Sequence, residues 1–287
     1  MAVILKGAPV SAAMIEKLKV RADALAACGI SATIAIVRVG ERPDDIAYEK
    51  SAGKRCAAAG VAVKNIVLPE SVSHEYLAKE ILALNENSSV HGVLLLRPLP
   101  KHIDESAICE LLSPAKDVDS ITAASLSGVF TGNGSGYPPC TAQAVIETLD
   151  YYNIDITGKN VSVIGRSLVI GKPVSMLLLG RNATVTMCHT KSADLPSICR
   201  RADIIVAAAG RAGVVGKDFV SPGQIIIDVG INVDANGKLC GDVDFETVEP
   251  VVSGITPVPG GIGTVTSTIL AAHVIDAAEK SVDRLSV

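Results

Sequence analysis

Two kinds of hydrophobic pattern alternate along the chain. Short, nearly continuous apolar runs are typical of strands buried in a parallel sheet, and longer segments with an apolar residue every three or four positions are typical of helices. The strand-like runs lie at residues 32–39, 61–68, 90–96, 160–164, 183–187, 203–207 and 224–229. The helix-like segments lie at residues 9–28, 45–59, 73–85, 141–151 and 264–280. Their alternation predicts an α/β fold with parallel sheets.

The alternation comes in two series, which indicates two domains. Between them lie residues 125–139, where four glycines, two prolines and three serines predict a linker or a mobile loop. We therefore predict an N-terminal α/β domain at residues 1–140 and a second α/β domain at residues 141–263, with a cleft between them. The last helix, at about residues 264–287, is expected to pack back onto the first domain. Within the second series, Asn236-Gly237 predicts a hairpin turn.

Composition argues against several classes of function. The net charge is −4 and no block of basic residues occurs, so nucleic acid is not an expected partner. No apolar run approaches the roughly 18 residues of a membrane span, and the first residues lack the pattern of a signal peptide. The seven cysteines are scattered without a C-x-x-C pair, which predicts reduced thiols, a cytoplasmic location and no zinc site.

The strongest local signal is at residues 161–173, which read VSVIGRSLVIGKP. A buried strand ends at Gly165 and a helix restarts near Gly171, so backbone N–H groups and the helix dipole could face a pyrophosphate. The spacing is not G-x-G-x-x-G, and Pro173 stands where a P-loop needs Ser or Thr. Spacing alone leaves two interpretations open, a nucleotide site of the Rossmann type or a plain strand–turn–helix.

The next strand favours NADP over NAD. Rossmann folds that bind NAD usually carry an acidic residue about 20 positions on, at the end of the second strand. Here the strand ends at Cys188 and is followed by His189, Thr190, Lys191 and Ser192. Hydroxyl and basic groups could bind a 2′-phosphate, whereas no carboxylate is present for the ribose hydroxyl. The alternative is a polar loop with a solvated lysine.

Several ordered motifs now identify a family. In sequence they read VGERPDDIAY, KDVD, PPCT, IGRSLVIGKP, ADIIVAAAG, IDVGIN, GDVDF and TPVPGGIGT. Together they resemble the bifunctional methylenetetrahydrofolate dehydrogenase/cyclohydrolase family over nearly the whole chain. The resemblance implies an enzyme of one-carbon metabolism that acts as a homodimer. A folate substrate would lie against the first domain and NADP along a Rossmann-like second domain.

The resemblance also implies residue roles. The residues that would hold the cofactor are Gly165, Arg166 and Ser167 at its phosphates, Thr190 near the 2′-phosphate, and Ile231 at the nicotinamide. The residues that would contact the folate are Tyr48, Leu96, Asp119, Pro257, Gly260 and Gly261. The alternative for each glycine is that it serves turn geometry alone.

The catalytic helix departs from the family pattern, which has a lysine one turn after a tyrosine. Tyr48 fits the tyrosine position, but four residues on the chain has Ala52. Lys50 and Lys54 each lie about 200° around the helix from that position, so we expect them on the solvated outer face.

A second departure agrees with the first. The family's Gln-Leu-Pro-Leu-Pro, whose glutamine supports the lysine, is replaced by a segment that begins at Leu96. Arg97 is adjacent, but side chains alternate along a strand, so we expect it to point elsewhere. Asp119 is kept and would hydrogen-bond the pterin ring, with Ser120 where the family has glycine. The candidate catalytic residues are therefore Tyr48 and Asp119.

The replacements at Ala52 and Leu96 should affect the family's two reactions, hydride transfer and hydrolysis, to different extents. Hydride transfer needs two stacked ligands and no protein acid or base. Hydrolysis of the methenyl cation needs an activated water, which a lysine of tuned pKa can supply. We therefore predict NADP-dependent dehydrogenase activity with weak or absent cyclohydrolase activity. The alternatives are a fully bifunctional enzyme, an altered relative that binds NADP and a folate-like ligand, and an oxidoreductase acting on another small substrate.

Overall fold

The computed structural model describes residues 1–234 and 237–285. Its strands are β1 Val3–Ile4, β2 Thr33–Val39, β3 Ala62–Leu68, β4 Gly92–Leu95, β5 Asn160–Ile164, β6 Thr184–Cys188, β7 Ile204–Ala207, β8 Ile225–Asp228, β9 Asn232–Val233, β10 Leu239–Cys240 and β11 Gly254–Ile255. Its helices are α1 Gly7–Ala27, α2 Pro43–Ala58, α3 His74–Glu86, α4 Glu105–Glu110, α5 Ala123–Thr131, α6 Cys140–Tyr151, α7 Gly171–Gly180, α8 Leu195–Arg200, α9 Phe245–Val248 and α10 Ile262–Leu285. The α/β fold class is confirmed.

The chain divides into two compact units. The N-terminal unit comprises Ala13–Cys140 and the described residues from Ser267 onward, and the C-terminal unit comprises Met1–Ala12 and Thr141–Thr266. No helix among the described residues is long and apolar enough to cross a membrane.

The N-terminal unit is built on a three-stranded parallel sheet in the order β3-β2-β4. The central strand β2 is buried on both faces, which explains why its sequence is nearly continuous in apolar residues. Below one face, apolar residues of α3 and α4 pack against β2 and β4 in one core cluster. The Ser73 hydroxyl starts α3 by accepting the N–H of Tyr76 at 3.2 Å.

The prediction of a linker or mobile loop at residues 125–139 is wrong for the first half of that segment. Residues 125–139 overlap α5, which spans Ala123–Thr131. The Thr122 hydroxyl caps the first turn of this helix, and Gly132 ends it in a left-handed conformation. Glycine- and serine-rich composition therefore masked a capped helix, because Gly128 lies inside it and packs closely against the backbone of Ser135.

The C-terminal unit contains a parallel sheet in the order β1-β11-β8-β7-β5-β6. β1 pairs with β11, so residues 1–12 join this unit, whereas the sequence placed them in the first domain. A two-residue strand carries no periodicity that could have indicated this. β9 and β10 pair antiparallel, but Asn236 of the predicted Asn236-Gly237 turn lies outside the described residues.

The strand order creates a switch point in the C-terminal unit. The chain leaves β5 for β6 on one side and then crosses to β7 on the other side of β5. In open parallel sheets, ligands bind beyond the carboxyl ends of the strands at such a point. A nucleotide site is therefore expected at the loops that follow β5, β6, β7 and β8.

Candidate functional site

The loop after β5 requires glycine at its first position. Gly165 has φ +134°, and a Cβ there would overlap the carbonyl oxygen of Ala208. Its N–H donates to Cys188 O at 2.9 Å, and Ala208 N donates to Ile164 O at 2.8 Å. The loop thus lies directly against the neighbouring strand ends, and this close approach leaves no room for a side chain at position 165.

The same loop leads into α7. The Ser167 hydroxyl accepts the N–H of Ile170 at 3.1 Å and lies 3.5 Å from the N–H of Gly171. This contact orders the turn and leaves the hydroxyl proton available as a donor. Arg166 and Ser167 are exposed beside the start of α7, which is the arrangement that favours an anion.

The loop after β6 lies beside it, because Ile164 of β5 pairs with Cys188 of β6. The Ser192 hydroxyl accepts His189 N at 3.0 Å, and Lys191 N donates to His189 Nδ1 at 3.1 Å. These bonds form a compact turn that leaves Thr190 and Lys191 exposed. The turn offers a hydroxyl and an ammonium group next to the Gly165 loop.

The remaining predicted residues of the C-terminal unit lie after β8 and β11. Ile231 is 69% exposed. A Cβ placed on Gly263 would lie 3.6 Å from Ile231 Cδ1, so Ile231 lies beside the segment that holds Pro257, Gly260 and Gly261. The Gly260 carbonyl accepts Gly7 N at 2.8 Å, which ties this segment to the start of the chain.

A second constellation lies in the N-terminal unit, on one face of α2. Tyr48 is 38% exposed, and Ala52, one turn later, is 0% exposed. Burial around the hydroxyl, with a smaller contribution from the Asp119 carboxylate, raises the pKa of Tyr48 well above its ordinary value. Lys50 and Lys54 are exposed, as expected for the opposite face.

Asp119 is half-buried beside this face. Burial raises its pKa to about 6, although a hydrogen bond from Cys140 and the positive charge of Arg97 act in the opposite direction. The Cys140 sulfur also lies 3.3 Å from Val118 O, so the two oxygens compete for the single thiol proton. The sequence gives no indication of this contact, because a buried thiol carries no signal for a carboxylate partner.

Arg97 lies just beyond the end of β4 and forms an ion pair with Glu105. β4 ends at Leu95, and the last ladder bond joins Leu96 N to Val37 O at 2.9 Å. Beyond that bond the alternation of side chains no longer applies. The Arg97 guanidinium lies 3.6 Å from Glu105 and close enough to Asp119 to lower its pKa.

The turn after Asp119 is held in an unusual shape. Ser120 has φ +59°, and its buried hydroxyl has no hydrogen-bond partner within the described residues. The Asp117 carboxylate imposes this turn by accepting Ile121 N at 2.8 Å, Thr122 N at 2.9 Å and the Thr122 hydroxyl at 2.7 Å. Asp119 lies at the start of this turn, so the hydrogen bonds of Asp117 also fix its position.

We expect Asp119→Asn to change the pH dependence of stability. The folded-state pKa of about 6 exceeds the ordinary value of 3.8. The contribution of Asp119 to stability is therefore complete below about pH 4 and is lost as the pH rises through about 6. The free energy of unfolding of Asp119→Asn, relative to that of the parent, should therefore be higher at pH 7.5 than at pH 4 by on the order of 2 kcal/mol. Urea unfolding at both pH values measures this difference.

Asp23→Asn, at an exposed position of α1, is the matched control. A difference between Asp119→Asn and the parent that is the same at pH 4 and pH 7.5 would contradict the prediction.

Comparisons with known proteins assign both units to one family. Residues 5–119 match the family model "Tetrahydrofolate dehydrogenase/cyclohydrolase, catalytic domain". Residues 139–282 match "Tetrahydrofolate dehydrogenase/cyclohydrolase, NAD(P)-binding domain". The chain belongs to the tetrahydrofolate dehydrogenase/cyclohydrolase family. The family resemblance drawn from the sequence motifs is thus confirmed, and the C-terminal unit carries the family's NAD(P)-binding domain.

Relatives within this family match over almost their full length. The chain is 50% identical over 281 residues to the bifunctional protein FolD of Carboxydothermus hydrogenoformans, covering 97% of this chain and 98% of that protein. The crystal structure of Campylobacter jejuni FolD has a TM-score of 0.94 at 38% identity, covering 98% and 99% of the two chains. The Trypanosoma brucei FolD structure, a complex with NADP cofactor and inhibitor, has a TM-score of 0.90 at 34% identity, covering 98% of each chain. The prediction that the chain is an enzyme is confirmed.

Proposed function

We propose that the chain oxidises 5,10-methylenetetrahydrofolate to 5,10-methenyltetrahydrofolate with NADP as hydride acceptor, and that its cyclohydrolase activity is weak or absent. The proposal of weak or absent cyclohydrolase activity rests on the position of Ala52. Its methyl group is fully buried one helical turn after Tyr48, where the family pattern has a lysine, and the flanking lysines are exposed.

NADP as the cofactor is supported by the loops at the carboxyl edge of the sheet. They fit a dinucleotide, because glycine at position 165 lets the loop backbone lie directly against the strand end at Ala208, and Arg166 and Ser167 are exposed beside the start of α7. We assign the phosphates to Gly165, Arg166 and Ser167, and the 2′-phosphate to Thr190 with help from Lys191. The NADP in the Trypanosoma brucei relative agrees with this choice.

The folate is assigned to Tyr48, Leu96 and Asp119 of the N-terminal unit and to Pro257, Gly260 and Gly261 of the C-terminal unit, with Ile231 at the nicotinamide. NADP supplies the hydride acceptor when bound. The chain's own residues need only orient the two ligands for the transfer, since the methylene carbon loses a hydride without a protein base. The Asp119 carboxylate can accept hydrogen bonds from the N–H groups of a pterin.

Hydrolysis of the methenyl product makes a greater demand. Water must be deprotonated as it adds to the cation, and the ring nitrogen must later be protonated. Within the described part of α2 no amine is available for this work on the Tyr48 face, since Ala52 and Cys56 follow it. Leu96, which is 5% exposed, has no polar group that could orient a water.

Full bifunctionality is the second candidate. It is favoured by the name of the 50% identical relative, a bifunctional protein, and by the Arg97 cation close to Asp119. An altered relative that binds NADP and a folate-like ligand without oxidising it, and an oxidoreductase for another small substrate, are the remaining alternatives.

Separate assays of the two half-reactions test the proposal. The purified chain should reduce NADP with methylenetetrahydrofolate faster than it reduces NAD, followed at 340 nm. Methenyltetrahydrofolate should disappear little faster than in a buffer blank. Robust hydrolysis would establish the bifunctional alternative, and NADP binding without reduction would establish the binding-only alternative.

We also propose two domains with the boundaries 1–140 and 141–263 for the folate and NADP functions, apart from the terminal segments. A homodimer in the cytoplasm is our proposal for the active form. The family resemblance supports the dimer, and the seven free cysteines support a reducing compartment.

A further inference from the structure

A buried carboxylate joins two loops at the carboxyl edge of the C-terminal sheet. Asp242 follows β10 and is 0% exposed. One carboxylate oxygen accepts Ala209 N at 2.6 Å and Gly210 N at 3.0 Å. The other accepts Arg211 N at 2.9 Å and the Asn232 side-chain amide at 2.9 Å. Three consecutive N–H groups after β7 and one amide after β8 therefore depend on a single side chain.

A second carboxylate holds Asp242 itself. Asp228, the last residue of β8, accepts Gly230 N at 2.9 Å, Asp242 N at 3.0 Å and Val243 N at 3.0 Å. Its own N–H donates to the Thr256 hydroxyl at 2.7 Å. The approach is so close that a Cβ on Gly241 would overlap the Asp228 carboxylate.

These two carboxylates face the candidate cofactor loops. Ala208, directly before the first loop, lies so close to Gly165 that a Cβ on the glycine would overlap the Ala208 carbonyl oxygen. Ile231, the exposed residue assigned to the nicotinamide, lies between Gly230 and Asn232, which are bound by Asp228 and Asp242 respectively. Hydrogen bonds to a charged acceptor are stronger than those between neutral groups, so the bonds fix the loops firmly.

We propose that Asp242 is a positioning residue for the dinucleotide, because it holds the loops after β7 and β8 in the shape that receives the nicotinamide half. The inference rests on the proposed function, since it takes these loops as the NADP site. Asp242 touches the loops and acts on the cofactor through them.

Asp242→Asn tests this directly. The side-chain shape is kept, but one carboxylate oxygen becomes an NH₂ group, so two of the four donors lose their acceptor. A buried donor left without its acceptor typically costs a factor of about ten to a hundred in an equilibrium constant. We expect the KM for NADP and the Kd for NADPH, measured by fluorescence titration, to rise about ten- to a hundredfold. The KM for the folate should change less.

Gln224→Ala is the matched control for a merely structural effect. Gln224 is buried in the same unit at the opposite edge of the sheet, directly before β8. Its side chain accepts Ser221 N at 2.6 Å and donates to Cys199 O at 2.8 Å and Ala202 O at 2.6 Å. This variant should lower the Tm while leaving the KM for NADP unchanged.

Asn232→Ala covers the case in which Asp242→Asn does not fold. It removes only one of the four donors, so it should fold and raise the Kd for NADPH a few-fold, by about the value of one hydrogen bond. Folded variants that bind NADPH as tightly as the parent would overturn the inference, as would an equal rise of KM in Gln224→Ala. If the parent itself does not bind NADPH, the proposed function fails and the positioning role fails with it.

Discussion

Gly165→Ala is expected to raise the Kd for NADPH by about a hundredfold or more. The added methyl group meets two obstacles at once, a φ of +134° that L-residues rarely adopt and the carbonyl oxygen of Ala208 in the space it would fill. Relief of the overlap must separate the loop after β5 from the end of β7. The backbone that is assigned to the pyrophosphate then moves.

Gly180→Ala is the control for this variant. Gly180 ends α7, nothing lies within 4 Å of a Cβ placed there, and its φ is ordinary. NADPH fluorescence titration and the Tm increase on adding NADPH should both match the parent for Gly180→Ala. For Gly165→Ala the cofactor-induced Tm increase should vanish. An unchanged Kd in a folded Gly165→Ala protein would rule out the assignment of this loop to the phosphates.

Ala52→Lys combined with Leu96→Gln should raise methenyltetrahydrofolate hydrolysis by about 10²–10⁴-fold, the usual contribution of an acid–base group. Position 52 is fully buried one turn from Tyr48, so an amine there is poorly solvated and its pKa should fall toward neutrality. Part of the population is then an uncharged base at pH 7. Glutamine at position 96 supplies the polar partner that a buried amine requires, which leucine cannot.

The control pair is Ser51→Lys with Leu96→Gln. Position 51 is the exposed neighbour of Ala52 on the same helix, so the added amine points to solvent. This pair should leave hydrolysis at the parent level, and both pairs should retain NADP reduction. If the Ala52 pair folds, by circular dichroism and thermal melting, and yet gains no hydrolysis, the alignment of this site with the family pattern is wrong.

Local pattern determined most of the elements and part of the site. β2 and β5 were predictable because a strand buried on both faces must be apolar throughout, and α1 to α3 were predictable because one face of each helix must be apolar. The motifs located Gly165, Tyr48, Ala52 and Asp119 because each owes its place to a strand end or a helical turn nearby. The exposure of Lys50 and Lys54 followed from helical geometry alone.

The interactions between segments that are far apart in the sequence were decided by the tertiary structure. Asp242 binds N–H groups 31 to 33 residues away, and β1 pairs with a strand at the far end of the chain. Arg97 pairs with Glu105 at 3.6 Å beyond the end of β4, where the alternation of side chains along the strand has stopped. The amino-acid sequence by itself therefore determined the hydrophobic periodicity and the missing lysine. Hydrogen bonds and charges between segments far apart in the chain depend on the folded path of the backbone, which no local pattern records.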